Sequence, residues 1–119
     1  MKSLSEIETT SKRASKAAGY SWGICEEVGK NIRLLEMFGL PGIKNLNDYF
    51  DKKKKQKFES LKLINAENKA TKLQYCPIIS GTSFLDQIKS LEKLNEIKFE
   101  GIAYPLLFLP FASRASEII

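Results

Sequence analysis

Residues 16–23 read KAAGYSWG, and the way this stretch divides decides the fold. Gly19 is a natural helix stop, because the residue that closes a helix often needs a positive φ. Ser21, two positions on, has the side chain of a helix N-cap, and Tyr20 is left as the link. Upstream, Ser5 and Glu8 have capping-box spacing, and Ile7, Ala14, Ala17 and Ala18 follow at helical intervals between Lys and Arg residues. Downstream, Glu26 and Glu27 sit in the first two turns, where the helix dipole favours negative charge. Ile24, Val28, Ile32, Leu35 and Phe38 then form one apolar stripe, and Gly39 with Leu40 and Pro41 ends it. Residues 5–38 are therefore expected to form a helical hairpin.

Working outward, residues 45–57 read as a further helix with Leu46, Tyr49 and Phe50 on its apolar face. Residues 58–64 and 71–79 show period-two patterning at Leu61/Leu63 and Leu73/Tyr75, so a β-hairpin turning through 65–70 is expected. Ser80, Gly81 and Thr82 should open a helix carrying Phe84, Leu85, Ile88, Leu91 and Leu94. Ile97, Phe99 and Ile102 suggest another strand. Leu106–Leu109, apolar throughout, reads as a central strand covered on both faces, with Pro110 at the first position of a last helix. That helix would still be running, uncapped, at Ile119. The expectation is one α+β domain over 1–119, in which an N-terminal helical hairpin and further helices pack on a small mixed β-sheet. Its parts are the hairpin at 5–38, the helix at 45–57 and a strand/helix part at 58–119.

Composition narrows the chemistry. A chain of 119 residues, 43% apolar and 28% charged, can bury a core without disulfides or metal. Cys25 and Cys76 are the only cysteines and there is no histidine, which excludes a zinc ribbon or finger; both thiols read as small buried apolar groups. No metal and no cofactor is expected. Glu6 and Glu8 interrupt any signal-peptide core, and the Ile102–Ala112 run, broken by Pro105 and Pro110, is too short to span a bilayer. A cytoplasmic, membrane-free location is the resulting expectation. The net charge of +5 comes from residues 44–72, which hold nine Lys against four acids, mainly through Lys52, Lys53, Lys54, Lys55 and Lys57. Such a run can attract anions, but a solvated face is the favoured reading.

The candidate site residues fall into two groups. Tyr20 and Trp22, with Glu26 and Glu27 behind them, place aromatic rings at a helix start, where they can stack on a ligand or partner or else cover the hairpin core; core packing is favoured. Cys76, Gly81, Thr82 and Asp86 run from a strand end into a helix start, where N–H groups at Gly81, Thr82 and Ser83 could hold an anion beside a thiol. Without histidine that thiol lacks the usual base, and the only adjacent acids, Glu26 and Glu27, point in different directions on a helix. A helix-turn-helix reading is disfavoured too, because those glutamates would face phosphate. The leading expectation is a non-catalytic module that binds a small ligand or a protein partner, or that self-associates, through Leu106–Phe111 or the surface around Trp22. An enzyme or enzyme subunit using Cys76–Asp86 is the alternative, and nucleic-acid binding ranks below it.

Several blocks of the chain together resemble a bacterial family, the domains of unknown function numbered 3726. They are Ser5–Glu8, Lys16–Gly23, Glu26-Glu27, Gly39–Gly42, Cys76–Ile78, Gly81-Thr82 with Asp86, and Pro105–Phe111 with Arg114 and Ala115. The most specific part is Gly19–Gly23 with its two glutamates. The resemblance spans nearly the whole chain and omits the Lys52–Lys57 run. It implies a bacterial protein whose relatives continue with more strand, so that this chain would be a short or truncated member. It implies no activity and no catalytic residue.

Overall fold

The computed structural model describes residues 3–70, 73–91, 94 and 97–118. It shows an α+β fold of six helices and a small two-stranded sheet. Contacts divide the chain into two compact units, Met1–Lys54 and Lys55–Ile119.

The first unit is helical. Helix α1 spans Leu4–Ala17 and α2 spans Trp22–Met37, which gives the expected hairpin. The cap of α1 lies two residues ahead of expectation: Ser3, not Ser5, accepts the Glu6 N–H at 3.2 Å. Glu8 instead reaches across to α2, pairing with Arg33 at 3.5 Å as well as with Lys12 at 3.3 Å. Gly19, at φ +100°, closes α1 in a Schellman motif, with Tyr20 N–H donating to the Ser15 carbonyl and Gly19 N–H to that of Lys16. Gly39, at φ +75°, repeats the motif on α2 with bonds to Leu35 and Glu36. The same Glu36 then reaches forward, its carboxylate accepting the Ile43 N–H at 2.9 Å at the start of α3, Gly42–Lys53.

The buried face of α1 is not the alanine face. Ile7, Ser11 and Ser15 are buried, whereas Ala17 is exposed and Ala14 and Ala18 are half-buried. Small side chains bring α1 and α2 close together: a Cβ on Gly29 would stand 3.0 Å from the Glu8 carbonyl oxygen. Ser15 meets its burial by donating to the Ser11 carbonyl at 2.8 Å. Cys25, Val28, Ile32 and Leu35 from α2 and Leu46, Tyr49 and Phe50 from α3 complete this core.

The second unit departs further from expectation. Its sheet pairs β1, Glu67–Lys69, with β2, Lys98–Glu100, in parallel, Asn68 lying opposite Phe99. The β-hairpin expected over 58–79 is absent among the described residues, and residues 67–69, expected in its turn, are a strand. Glu59 and Tyr75 meet at a single bridge, and that bridge is parallel, as is the one between Tyr75 and Ile102. Parallel pairing needs a long crossover. Here it is supplied by α4, Pro77–Asp86, and α5, Ile88–Leu91, which lie between the two strands. Asn68 fastens the sheet: its buried amide donates to the carbonyls of Asn65 and Lys98, and its oxygen accepts the Asn65 N–H.

Helix α4 starts at Pro77, so Ser80, Gly81 and Thr82 are interior positions and not a helix opening. Gln87 ends it and ties down the preceding loop, accepting the Ile64 N–H and donating to the Lys62 carbonyl. Leu94, expected in the buried stripe, is exposed, while Phe84, Ile88 and Leu91 are buried with Ile64 and Ala115. The expected central strand Leu106–Leu109 is helical. Pro105, not Pro110, begins α6, Pro105–Ile118, and Pro110 lies inside it. Leu107, Phe111 and Ala115 face inward at intervals of four, a helical period that the run of leucines conceals. The α4–α6 contact is tight, since a Cβ on Gly81 would overlap the ring of Phe111. Phe84, Phe99 and Phe108 form a cluster with centroids 4.9–5.8 Å apart.

Candidate functional site

A groove of about 590 Å³ opens on the first unit, between α1 and α3. Its α1 wall is Ala14, Ala17 and the C-cap Ala18; its α3 wall is Asn47, Phe50, Asp51, Lys53 and the C-cap Lys54. Both sets recur at intervals of three and four, so each is one face of its helix. The groove follows from what α1 buries: with Ser11 and Ser15 turned to α2, the alanines are left outward, and methyl groups are too short to fill the space in front of α3.

Two features hold the groove in shape. Tyr20 is buried, its hydroxyl 3.5 Å from that of Tyr49 and its ring 6.1 Å from Phe50. Lys53 donates to the Ala18 carbonyl at 3.0 Å, and its ammonium lies 4.3 Å from the Tyr20 ring centre. That contact sits at the C-terminal end of α1, where free carbonyls attract a cation. Lys53 is thus occupied in structure. The side chains of Asn47, Asp51 and Lys54 form no hydrogen bond or ion pair with any described residue, and all three are exposed.

The aromatic pair of the sequence divides. Tyr20 is core, while Trp22 is 58% exposed with the Lys16 ammonium 5.2 Å from its ring centre, contrary to the expectation that it packs inward. Glu26 is exposed and Glu27 half-buried on α2. At the other end of α2, Met37, Phe38 and Leu40 are exposed together; Phe38, read as the end of the apolar stripe, is the C-cap. Beneath Tyr20, the Cys25 thiol donates weakly to the Tyr20 carbonyl at 3.6 Å. Burial pushes this thiol's pKa up, and the positive charge of Lys16 only partly opposes that.

The second group of candidate residues does not make an anion cradle. Cys76 is the buried N-cap of α4, its N–H donating to the Glu59 carbonyl at 2.8 Å. Gly81, Thr82 and Ser83 lie one turn inside the helix, where N–H groups face helical carbonyls. The Thr82 hydroxyl donates to the Ile78 carbonyl at 2.8 Å, Gly81 is covered by Phe111, and Asp86 is exposed at the far end. Of Leu106–Phe111, Leu107, Pro110 and Phe111 are buried and Leu109 is 49% exposed. No group of three or more Cys, Asp or Glu side chains among the described residues is placed to hold a metal. No described helix is long and apolar enough to cross a membrane.

The groove residues Ala14, Ala17, Ala18, Asn47, Asp51 and Lys54 were not singled out as a site from the sequence. The signal was present, in a helix face of alanines opposite a face with one aromatic ring, but it reads equally as core. Compared with known families, residues 2–75 match the model of a family described as a protein of unknown function (DUF3726). The blocks from Cys76 onward that suggested the same family lie outside that match. No curated protein and no solved structure matches the chain.

Proposed function

Starting from the fact that this chain belongs to the DUF3726 family, whose model covers its helical unit, we propose that it is a non-catalytic small-ligand-binding module and that the α1–α3 groove is its site. The observation that carries this reading is the groove itself: a concave surface with an apolar floor and three polar side chains not engaged with the rest of the protein. Ligand sites combine an apolar lining with a few convergent polar groups in this way. That both buried cysteines are thiols, not joined in a disulfide, supports a reducing compartment, the bacterial cytoplasm.

A fragment screen on the full chain, read by backbone amide NMR, tests the reading. Hits should shift resonances of α1 and α3, and Ala17→Trp, which fills the groove from an exposed position, should abolish them. Hits that shift only residues elsewhere, or that survive Ala17→Trp unchanged, would overturn it.

Assembly is the second reading, with a second copy of the chain as the partner. The exposed Met37, Phe38 and Leu40, adjacent at the tip of α2, support it. Light scattering should then give a mass above the monomer that falls on Phe38→Ser substitution.

A further inference from the structure

The two charges in the groove that have no protein partner narrow the class of ligand, an inference that rests on the groove being a binding site. Asp51 in the last turn of α3 and Lys54, its C-cap in the αR conformation, lie three residues apart, where side chains have neighbouring Cβ atoms about 5–6 Å apart. They could have paired with one another, yet no ion pair joins them among the described residues, and neither has another partner. Lys53, the other cation of the lining, is turned to the Ala18 carbonyl and the Tyr20 ring. The groove therefore presents one free carboxylate and one free ammonium on one wall, facing the methyl groups of Ala14, Ala17 and Ala18 with the Phe50 ring between.

A simple anion would meet Asp51, and a simple cation would meet Lys54. Only a molecule carrying both charges close together satisfies both groups, and the apolar floor then suits an uncharged side chain. We infer that the groove binds a zwitterion with an apolar side chain, of the α-amino acid class, its ammonium on Asp51, its carboxylate on Lys54 and its side chain against the alanines of α1. Asn47, one turn before Asp51 on the same face, offers both a donor and an acceptor to the same head group.

Three probes of one shape decide this: phenylalanine, 2-phenylethylamine, which lacks the carboxylate, and 3-phenylpropanoate, which lacks the ammonium. Each is titrated into the full chain at neutral pH and followed by amide NMR. Phenylalanine should bind at least about threefold more tightly than either single-charge probe, the scale of one partly exposed ion pair. Asp51→Asn should reduce phenylalanine to the level of 3-phenylpropanoate, and Lys54→Gln to that of 2-phenylethylamine. Both substitutions are at exposed positions, and unchanged melting temperatures would show that the fold is retained. Equal binding of the three probes, or indifference to both substitutions, overturns the zwitterion assignment while shifts confined to α1 and α3 keep the groove as a site. If none of the three probes shifts α1 or α3, the inference fails, and the fragment screen with Ala17→Trp decides separately whether the groove binds anything.

Discussion

In residues 3–54 the chain is turned by groups that are near neighbours in sequence. Tyr20 N–H reaches back to Ser15, Leu40 N–H to Leu35, and the Glu36 carboxylate forward to Ile43. In residues 55–119 the equivalent bonds join distant positions: Lys98 to Ala66, Ala70 to Glu100, Tyr75 to Gly101 and Ala103, and Gln87 to Lys62 and Ile64. In the first unit each turn is closed by bonds between residues no more than seven apart. The second unit also has helices, but its strands are three residues long, and the residues they pair lie on opposite sides of the α4–α5 crossover. Local contacts cost little loop entropy and form quickly, whereas long-range ones form late. The candidate binding groove lies wholly in the first kind of structure.

The sharpest way to break this contrast is to strike the second unit where it depends on one long-range contact. Phe111→Ala empties the space against Gly81 and should cost about 3–5 kcal/mol, read as a lower midpoint in urea unfolding. Gly81→Ala forces a methyl into the same ring and should cost about 1–3 kcal/mol. Because each change relieves part of the other, the double variant should lose less than the sum. Strict additivity would show that the α4–α6 contact is looser than the structure makes it.

A smaller effect sharpens the contrast from the other side. Gly19→Ala keeps every tertiary contact of the first unit and alters only a backbone position at φ +100°, where no heavy atom would touch the new methyl. A loss of about 1–2 kcal/mol, with little change in folding beyond the hairpin, is expected if local closure is what organises this unit. A neutral result would mean that packing, not the turn, sets the hairpin.

The smallest effect is electrostatic. The folded state raises the pKa of the Cys25 thiol, so it favours the neutral form. Its contribution is complete below the unfolded thiol's pKa of about 8.5 and is lost as pH rises from there through the higher folded value. Melting temperature should therefore fall more steeply in the natural chain than in Cys25→Ala as pH rises above about 8.5, and no differently below it, compared by calorimetry.

How far the sequence could be read follows the same division. The hairpin was legible because Gly19, Ser21 and Gly39 each act within a few residues. The N-cap lies two positions earlier because Ser3-Glu6 and Ser5-Glu8 carry the same spacing, and Glu8 is engaged with Lys12 and Arg33 instead. The β-hairpin expected over 58–79 failed because alternation marks a strand without naming its partner, and the partners here lie beyond two helices. Leu106–Leu109 failed because four adjacent apolar residues carry no period, and Leu107, Phe111 and Ala115 supply one only when read across Pro110. For the site, Trp22 reads as core but stands exposed. The alanines of α1 were noticed as apolar, and nothing local showed that serines would take the core in their place.

Each compact unit contains a single buried sulfhydryl, Cys25 in one and Cys76 in the other, and neither is in a disulfide. The natural chain therefore carries its own pair of opening reporters. Under pulsed alkylation with a reagent that modifies only exposed thiols, followed by peptide mass analysis, the two labels would time the opening of the helical unit and of the crossover unit independently. Coincident labelling at every denaturant concentration would mark the 119 residues as a single cooperative whole, and staggered labelling would mark two.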